Sequence, residues 1–432
     1  MNTFSIKRFS ILLFLISFLT TFNIIWTREE QTEQQAKHVE KNSSKRYSYK
    51  STGDPKTFTL KHVYHHCTSK YPNLIRRKDI NETSLRAQEL KTGASFTYTL
   101  KGIKGKKMTP TKYTIDEYRQ KSKNEQITLN MDWKTAEEIL PDVKDWDTLI
   151  NIAKITYNAY TLEENEDWYD LGDDYKRRDS FGWDSDGIRG HVFGDESNDM
   201  IVIALKGTSM GFKAGPTVPK DKINDNLLFS CCCATVDRTW KPVCSCNTQN
   251  YDCDLTCVQE SIDHEDMYYN IAMSLFFHVQ SEYPKAKIWL TGHSLGGSLS
   301  SLLGITFGLP AVGFEAPGER LAAKRLHLPS PPGSPYEDMN IWHIGHSADP
   351  IFMGVCNGIS SSCYIGGYAL ETKCHLGVTC LFDSVEKLNW KVSIQNHRIK
   401  SVIEDVLNKW EWEFPECKPE TECVDCGLWN YI

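Results

Sequence analysis

The sequence predicts one large α/β domain, crosslinked by disulfides in its inserted loops and preceded by a single membrane-crossing helix. Three observations carry that prediction. Residues 288–303 read as an apolar strand, a glycine-flanked serine and a small-residue helix, the strand–turn–helix unit of α/β sheets. Fifteen cysteines in 432 residues exceed what a reducing compartment supports, so the fold matures in an oxidising lumen. Only residues 9–26 (FSILLFLISFLTTFNIIW) are apolar and long enough to cross a bilayer.

That leader comes first in the chain. Lys7 and Arg8 precede it, whereas Arg28 is followed at once by Glu29 and Glu30, so the positive-inside bias keeps residues 1–8 cytosolic and sends the rest across. A cleaved signal peptide is the competing reading, but Thr20, Thr21, Asn23 and Trp26 make a poor cleavage site. Residues 27–56 are polar and read as a solvated stem, leaving 57–432 as the lumenal domain. The sequons at Asn42 and Asn81 both fall on the lumenal side and are glycosylation candidates. A formal charge of −7 with no long Lys/Arg block argues against a nucleic-acid partner.

In the lumenal part, residues 57–67 (TFTLKHVYHHC) and 95–100 (SFTYTL) alternate as strands do. His62, His65 and His66 lack a matching Cys or carboxylate spacing, so no metal is expected there. Leu149, Ile152, Ala153, Thr156, Tyr157 and Tyr160 mark an amphipathic helix. The acid-rich residues 163–174 read as a solvated loop, and Asp184-Ser185-Asp186-Gly187 as a turn that lacks the remaining ligands of a calcium loop. Residues 191–193 and 200–205 (MIVIAL) are two strands joined by a polar turn. A Cys-rich insertion at about 210–257 follows, without the paired knuckles of a zinc ribbon, so disulfides are expected. Its tetrad Asn226-Leu227-Leu228-Phe229 looks exposed in a polar loop; it reads either as an interfacial lid or as part of a disulfide-bonded structural loop. Met267, Tyr268, Ile271, Ala272, Leu275 and Val279 mark the next helix, and residues 288–291 a buried strand.

The chemistry centres on Gly292-His293-Ser294-Leu295-Gly296. A G-x-S-x-G between strand and helix lifts Ser294 onto a sharp elbow, and Gly292 and Gly296 are needed because Cβ atoms there would collide with strand and helix. A serine nucleophile needs a base, and the base an orienting carboxylate, in the chain order Ser, acid, His. Asp349 follows the strand-like residues 339–344 and precedes Pro350, which places it on a loop at a strand end; Asp383, with no recognisable strand before it, is the runner-up. His397 leads into the stripe Ile399, Val402, Ile403, Val406, Leu407 and Trp410, and is preferred as base over His343, His346 and His375. The N–H of Leu295 and the N–H and hydroxyl of Thr208, in the turn Lys206-Gly207-Thr208 after MIVIAL, are the oxyanion candidates. No cofactor or metal is called for by this chemistry.

These residues resemble the class 3 lipase superfamily: Lys206-Gly207-Thr208, IWLTGHSLGG at 288–297, Asp349-Pro350 and His397. With the leader, FTLKHVYHH, GWDSDGIRGHVF, the Cys-rich insertion and GFEAPGE, the whole chain is similar to the fungal autophagic-body lipases, a vacuolar, autophagy-related family. The resemblance implies an α/β-hydrolase fold, class 3 lipase-like, and hydrolysis of membrane phospholipid and neutral glyceride. It implies vesicle membranes as substrate, and transit through endosomes and multivesicular bodies to the vacuole as a single-pass type II membrane protein. Ser294 takes the nucleophile's place, Asp349 the acid's and His397 the base's. The superfamily's usual oxyanion-turn Arg is Lys206 here, and the Ser/Thr-rich tail of some relatives has no counterpart before Ile432.

Overall fold

The computed structural model describes residues 51–432 apart from 69–70, 84, 87–89, 91–96, 111–114, 126–132, 161–186, 209–217, 237–239 and 331–335. The expected leader, most of the stem, Asn42, the acid-rich loop and Asp184 to Asp186 lie outside the described residues. Among those described, no helix is long and apolar enough to cross a membrane. The chain divides into two units. One is Tyr49–Leu407 with Pro415–Ile432; the described part of the other is Asn408–Phe414, where the Trp410 and Trp412 rings meet edge to face 5.0 Å apart. All that follows concerns the larger unit.

Its strands in chain order are β1 (Pro55–Thr68), β2 (Tyr71–Asp79), β3 (Thr97–Pro110), β4 (Trp133–Pro141), β5 (Arg189–Asp195), β6 (Met200–Leu205), β7 (Asn247–Gln249), β8 (Asp252–Cys253), β9 (Lys287–His293), β10 (Ala311–Phe314), β11 (Ile341–His346), β12 (Val378–Phe382), β13 (Cys417–Lys418) and β14 (Asn430–Tyr431). The large sheet runs β13-β12-β11-β10-β9-β6-β5-β1-β3-β4, with β2 also paired to β1. Strands β6, β9, β10, β11 and β12 are mutually parallel, and the flanking pairs are antiparallel. Parallel strands covered on both faces need continuous apolar runs, and MIVIAL is buried at all six positions.

Strand alternation sorts the two faces. Ile201, Ile203, Leu205, Ile288 and Leu290 join the core under helices Tyr268–Glu282 and Leu295–Phe307. Thr291 points the other way and hydrogen-bonds through its hydroxyl to Thr156 at 2.8 Å, on helix Trp146–Asn158. That helix starts where Asp145 caps it, accepting from the Thr148 N–H at 3.1 Å and hydroxyl at 2.7 Å. This is an α/β-hydrolase fold.

Among the described residues, seven disulfides form. Cys232–Cys253, Cys233–Cys244 and Cys246–Cys257 knit the insertion internally, and Cys231–Cys426 ties it to the chain's last residues, where β14 also pairs with β8. Cys374 and Cys380 pair not with each other but with Cys423 and Cys417. Cys356–Cys363 closes a short loop.

One expectation is overturned. The tetrad Asn226 to Phe229 ends helix Val218–Phe229, and Leu227, Leu228 and Phe229 are 4%, 2% and 0% exposed, so it is no apolar patch facing a membrane. The surrounding polar residues misled because they are buried and satisfied rather than solvated. Lys220 meets Asp266 at 2.5 Å, Asp221 accepts from Tyr268, Asn224 accepts from the Tyr268 N–H, and Asn226 bridges Gly367 and Ala369.

Candidate active site

The parallel strands end along one edge, and the candidate residues follow those ends in turn. Thr208 lies beyond β6, Ser294 beyond β9, Glu315 beyond β10, Asp349 beyond β11 and Asp383 beyond β12.

Ser294 sits at φ 58° and ψ −132°, backbone that L-residues avoid, between β9 and helix Leu295–Phe307. Its N–H donates to Phe314 O at 2.9 Å, and its carbonyl accepts from Gly297 and Ser298 as the helix begins. The elbow leaves no room beside it. A Cβ on Gly292 would lie 2.2 Å from Gly296 O, and one on Gly296 would lie 2.2 Å from Leu205 O.

His397 closes the 3₁₀ turn Ile394–His397 and is 4% exposed. Its Nε2 is 2.9 Å from Ser294 Oγ and its Nδ1 is 2.7 Å from Asp349 Oδ2. With the Nδ1–H donated to Asp349, Nε2 is free to accept from the serine hydroxyl. Asp349 is fully buried, and its Oδ1 accepts from the Ile351 N–H at 2.9 Å. Burial pushes its carboxyl up; the His397 ring, as charge and as hydrogen-bond partner, and Glu315 outweigh that and leave it below its ordinary value.

The oxyanion candidates flank Ser294. Leu295 is the first residue of its helix, so its N–H has no intrahelical acceptor and adds to the positive end of the dipole. Gly207 lets the β6 turn approach: a Cβ there would sit 2.2 Å from His293 O and 3.1 Å from Ser294 Cβ. Thr208 differs from expectation in one respect. Its hydroxyl donates to Asp225 Oδ2 at 2.6 Å, which leaves the N–H as the remaining oxyanion candidate of this residue. Burial pushes Asp225 well up, against the pull of that hydroxyl. Lys206 Nζ donates to Gly207 O at 2.8 Å, lies 3.7 Å from Asp221 and stacks 5.5 Å over the Tyr160 ring; burial brings it down to about 8 despite Asp221.

The runners-up serve other ends. Asp383 does follow a strand, β12, yet it caps helix Ser384–Lys387 by accepting from the Glu386 N–H and also from Ser347 Oγ. His343 faces Glu319 at 2.9 Å, His346 faces Ser384 and Asn396, and His375 faces Glu420 and Ala316 O. Asn81 is exposed. Sequence reasoning passed over two supports. His293 Nε2–H donates to the His397 carbonyl at 2.6 Å while its Nδ1 meets the Tyr160 hydroxyl at 2.7 Å; burial, then the nearby His397, bring it down to about 3, so it is neutral. Glu315 lies fully buried at φ 44°. The acid directly after the apolar run AVGF, at a strand end, was the available signal. Before the site opens a cavity of about 800 Å³, lined among others by Tyr157, Tyr160, Thr208, His293, Tyr368 and His397.

The family described as Lipase (class 3) matches residues 245–313. The protein named "Putative lipase ATG15" of Yarrowia lipolytica is 43% identical over 404 residues, covering 87% of this chain and 73% of its own. The chain belongs to the ATG15 lipase family. The ATG15 protein of Pichia angusta is 48% identical over 309 residues, or 70% of this chain and 58% of that one. Against most of the leading ATG15 relatives this chain spans under two thirds of their length. The solved Lip2 lipase of Yarrowia lipolytica aligns at 17% identity over 45% of this chain and 61% of that chain, with a TM-score of 0.23, too slight to bear on the site.

Proposed function

We propose that this chain is a serine carboxylic ester hydrolase, a lipase and phospholipase that cleaves the esters of membrane lipids through an acyl-enzyme. The observation that carries the reading is the unbroken hydrogen-bonded line from Ser294 Oγ through His397 to Asp349. His397 takes the hydroxyl proton as Ser294 attacks the ester carbonyl, and the N–H groups of Leu295 and Thr208 stabilise the tetrahedral oxyanion. The imidazole returns the proton to the leaving alcohol, and water then cleaves the acyl-enzyme with the same base. Asp349 holds the ring's tautomer and stabilises the imidazolium. The 800 Å³ cavity accommodates an acyl chain beside Ser294.

Membrane lipid as substrate rests on ATG15 kinship together with the apolar leader at 9–26, which anchors the domain to a membrane as a type II protein. Seven disulfides and the sequons Asn42 and Asn81 fit an endosomal and vacuolar lumen, where the enzyme breaks down autophagic bodies and vesicles of multivesicular bodies. The test uses the full chain, purified in detergent, against phospholipid vesicles and a soluble short-chain ester. Wild type should release fatty acid from both and react with a serine-directed phosphonate. Ser294→Ala should lose all three, the hydrolysis by at least ~10⁴-fold. Phosphonate labelling that persists in Ser294→Ala would overturn the assignment, and binding of vesicles without hydrolysis would make the chain a tethered lipid binder.

A further inference from the structure

A second carboxyl touches the acid of the triad, and the mechanism above makes no use of it. Glu315 follows β10 as Asp349 follows the neighbouring β11; the strands are paired in parallel, with Phe314 opposite Ile344. Both side chains are fully buried at neighbouring strand ends, and each carboxyl acts electrostatically on the other. Two adjacent buried carboxylates cannot both be ionised, so one partner must hold a proton.

The donors around the pair decide which one holds it. Asp349 receives the His397 Nδ1–H at 2.7 Å and the Ile351 N–H at 2.9 Å. Glu315 receives only the His346 backbone N–H, at 3.3 Å on Oε2, and its buried Oε1 has no donor among the described residues. The His346 ring lies 3.7 Å from Oε1 but supplies no charge: its Nε2–H is taken by Asn396 O at 3.1 Å, and its Nδ1 faces Ser384 Oγ at 3.1 Å. Burial lowers the pKa of that imidazole, against the pull of Asp349. Among the described residues, the titratable groups that act on the pair are His346 and His397. The backbone adds its own evidence, since Glu315 occupies φ 44°, where a glycine would rest without strain.

We propose that Glu315 is a positioning residue, a carboxylic acid kept protonated so that it donates a hydrogen bond to Asp349 and sets the basicity of the triad. Burial and the adjacent Asp349 both push the Glu315 carboxyl well up, in keeping with this. The hydrogen bond tempers the Asp349 charge. A tempered carboxylate stays ionised to lower pH and holds the His397 imidazolium less tightly. The base therefore remains deprotonated further into the acid range. The inference rests on the hydrolase reading and names a device for running it in an acidic compartment.

The experiment compares the full-length wild type with Glu315→Gln and Glu315→Leu, scoring kcat/KM against pH on a soluble ester, with Ser294→Ala as blank. Glutamine keeps a donor to Asp349 and cannot ionise, so its profile should overlay wild type. Leucine removes the donor, and its acid limb should move up by about one pH unit. If both variants move the limb down, Glu315 was ionised and the proposal is wrong. If leucine lowers the rate equally at every pH, the residue is structural and the proposal is equally wrong. Should the leucine variant not fold, infrared difference spectra settle the matter: wild type minus Glu315→Gln at about pH 7 must contain the carbonyl stretch of a protonated carboxyl. A carboxylate band in its place overturns the assignment. Absence of Ser294-dependent turnover would instead defeat the hydrolase reading, and the infrared result stands apart from it.

Discussion

Gly296→Ala puts the geometry of the elbow to a quantitative test. The added Cβ would lie 2.2 Å from Leu205 O, 2.8 Å from the Lys206 carbonyl carbon and 2.9 Å from Gly207 N. All three atoms are backbone, and they belong to the turn that carries Thr208, so no side-chain rotation relieves the clash. Ordinary contact begins near 3.4 Å, and the turn must therefore retreat by about 1 Å. A shift of that size separates the Thr208 N–H from the Leu295 N–H, and misplacement on this scale costs about 10²-fold in rate. Overpacking should also cost about 1–3 kcal/mol of stability. Gly358→Ala is the control, because a Cβ there meets nothing within 4 Å. The assay is kcat on a soluble ester, with thermal melting on the same samples. Gly296→Ala should lose about two orders of magnitude in kcat, while Gly358→Ala matches wild type. A Gly296→Ala variant that keeps its kcat within a few-fold would refute the placement of the oxyanion donors.

Other expectations follow from the same contacts. Ser294→Gly removes the strain at φ 58°, so the inactive variant should melt higher than wild type, by about 1 kcal/mol in stability; a lower melting temperature would argue that the elbow is unstrained. Cys231→Ser with Cys426→Ser opens the crosslink between the insertion and the chain's last residues and should cost about 2–5 kcal/mol, read by denaturant melts under non-reducing conditions. Leu228→Ala should destabilise by about 2–5 kcal/mol, as a core residue does, with vesicle and soluble-ester hydrolysis falling together. The His375–Glu420 pair, 3.1 Å apart, makes stability pH-dependent. Burial opposes both shifts, but Glu420 holds His375 above its ordinary 6.5, and His375 holds Glu420 down to about 2 from 4.5. The His375 contribution is whole below pH 6.5 and fades as pH rises through its folded value; that of Glu420 is present above pH 4.5 and fades toward 2. Melting temperature should therefore peak between those pH values, and Glu420→Gln should flatten the peak by about 2 kcal/mol.

Much of the architecture was legible because it rests on local patterns. MIVIAL reads as a strand buried on both faces, and that is what β6 is. The elbow at 292–296 announces itself because its two glycines answer a steric demand set within a few residues. Asp349 and His397 were legible through chain order and strand ends. The contacts of His397 with Asp349 at 2.7 Å and with Ser294 at 2.9 Å were not, since they depend on how β9 and β11 lie in one sheet.

What the sequence determined alone is therefore local: strand and helix periods, the tight turn at Ser294, and an oxidising home for fifteen cysteines. Tertiary structure decided everything that depends on who faces whom. It paired Cys231 with Cys426 across 195 residues and turned the Thr208 hydroxyl toward Asp225. It also buried Leu227, Leu228 and Phe229, although their polar neighbours read as solvated. Hydropathy counts a polar side chain as a surface group, whereas a folded protein buries it freely once a partner meets it. Glu315 is the sharpest instance: an acid in the sequence, it is carried by the fold into full burial beside Asp349.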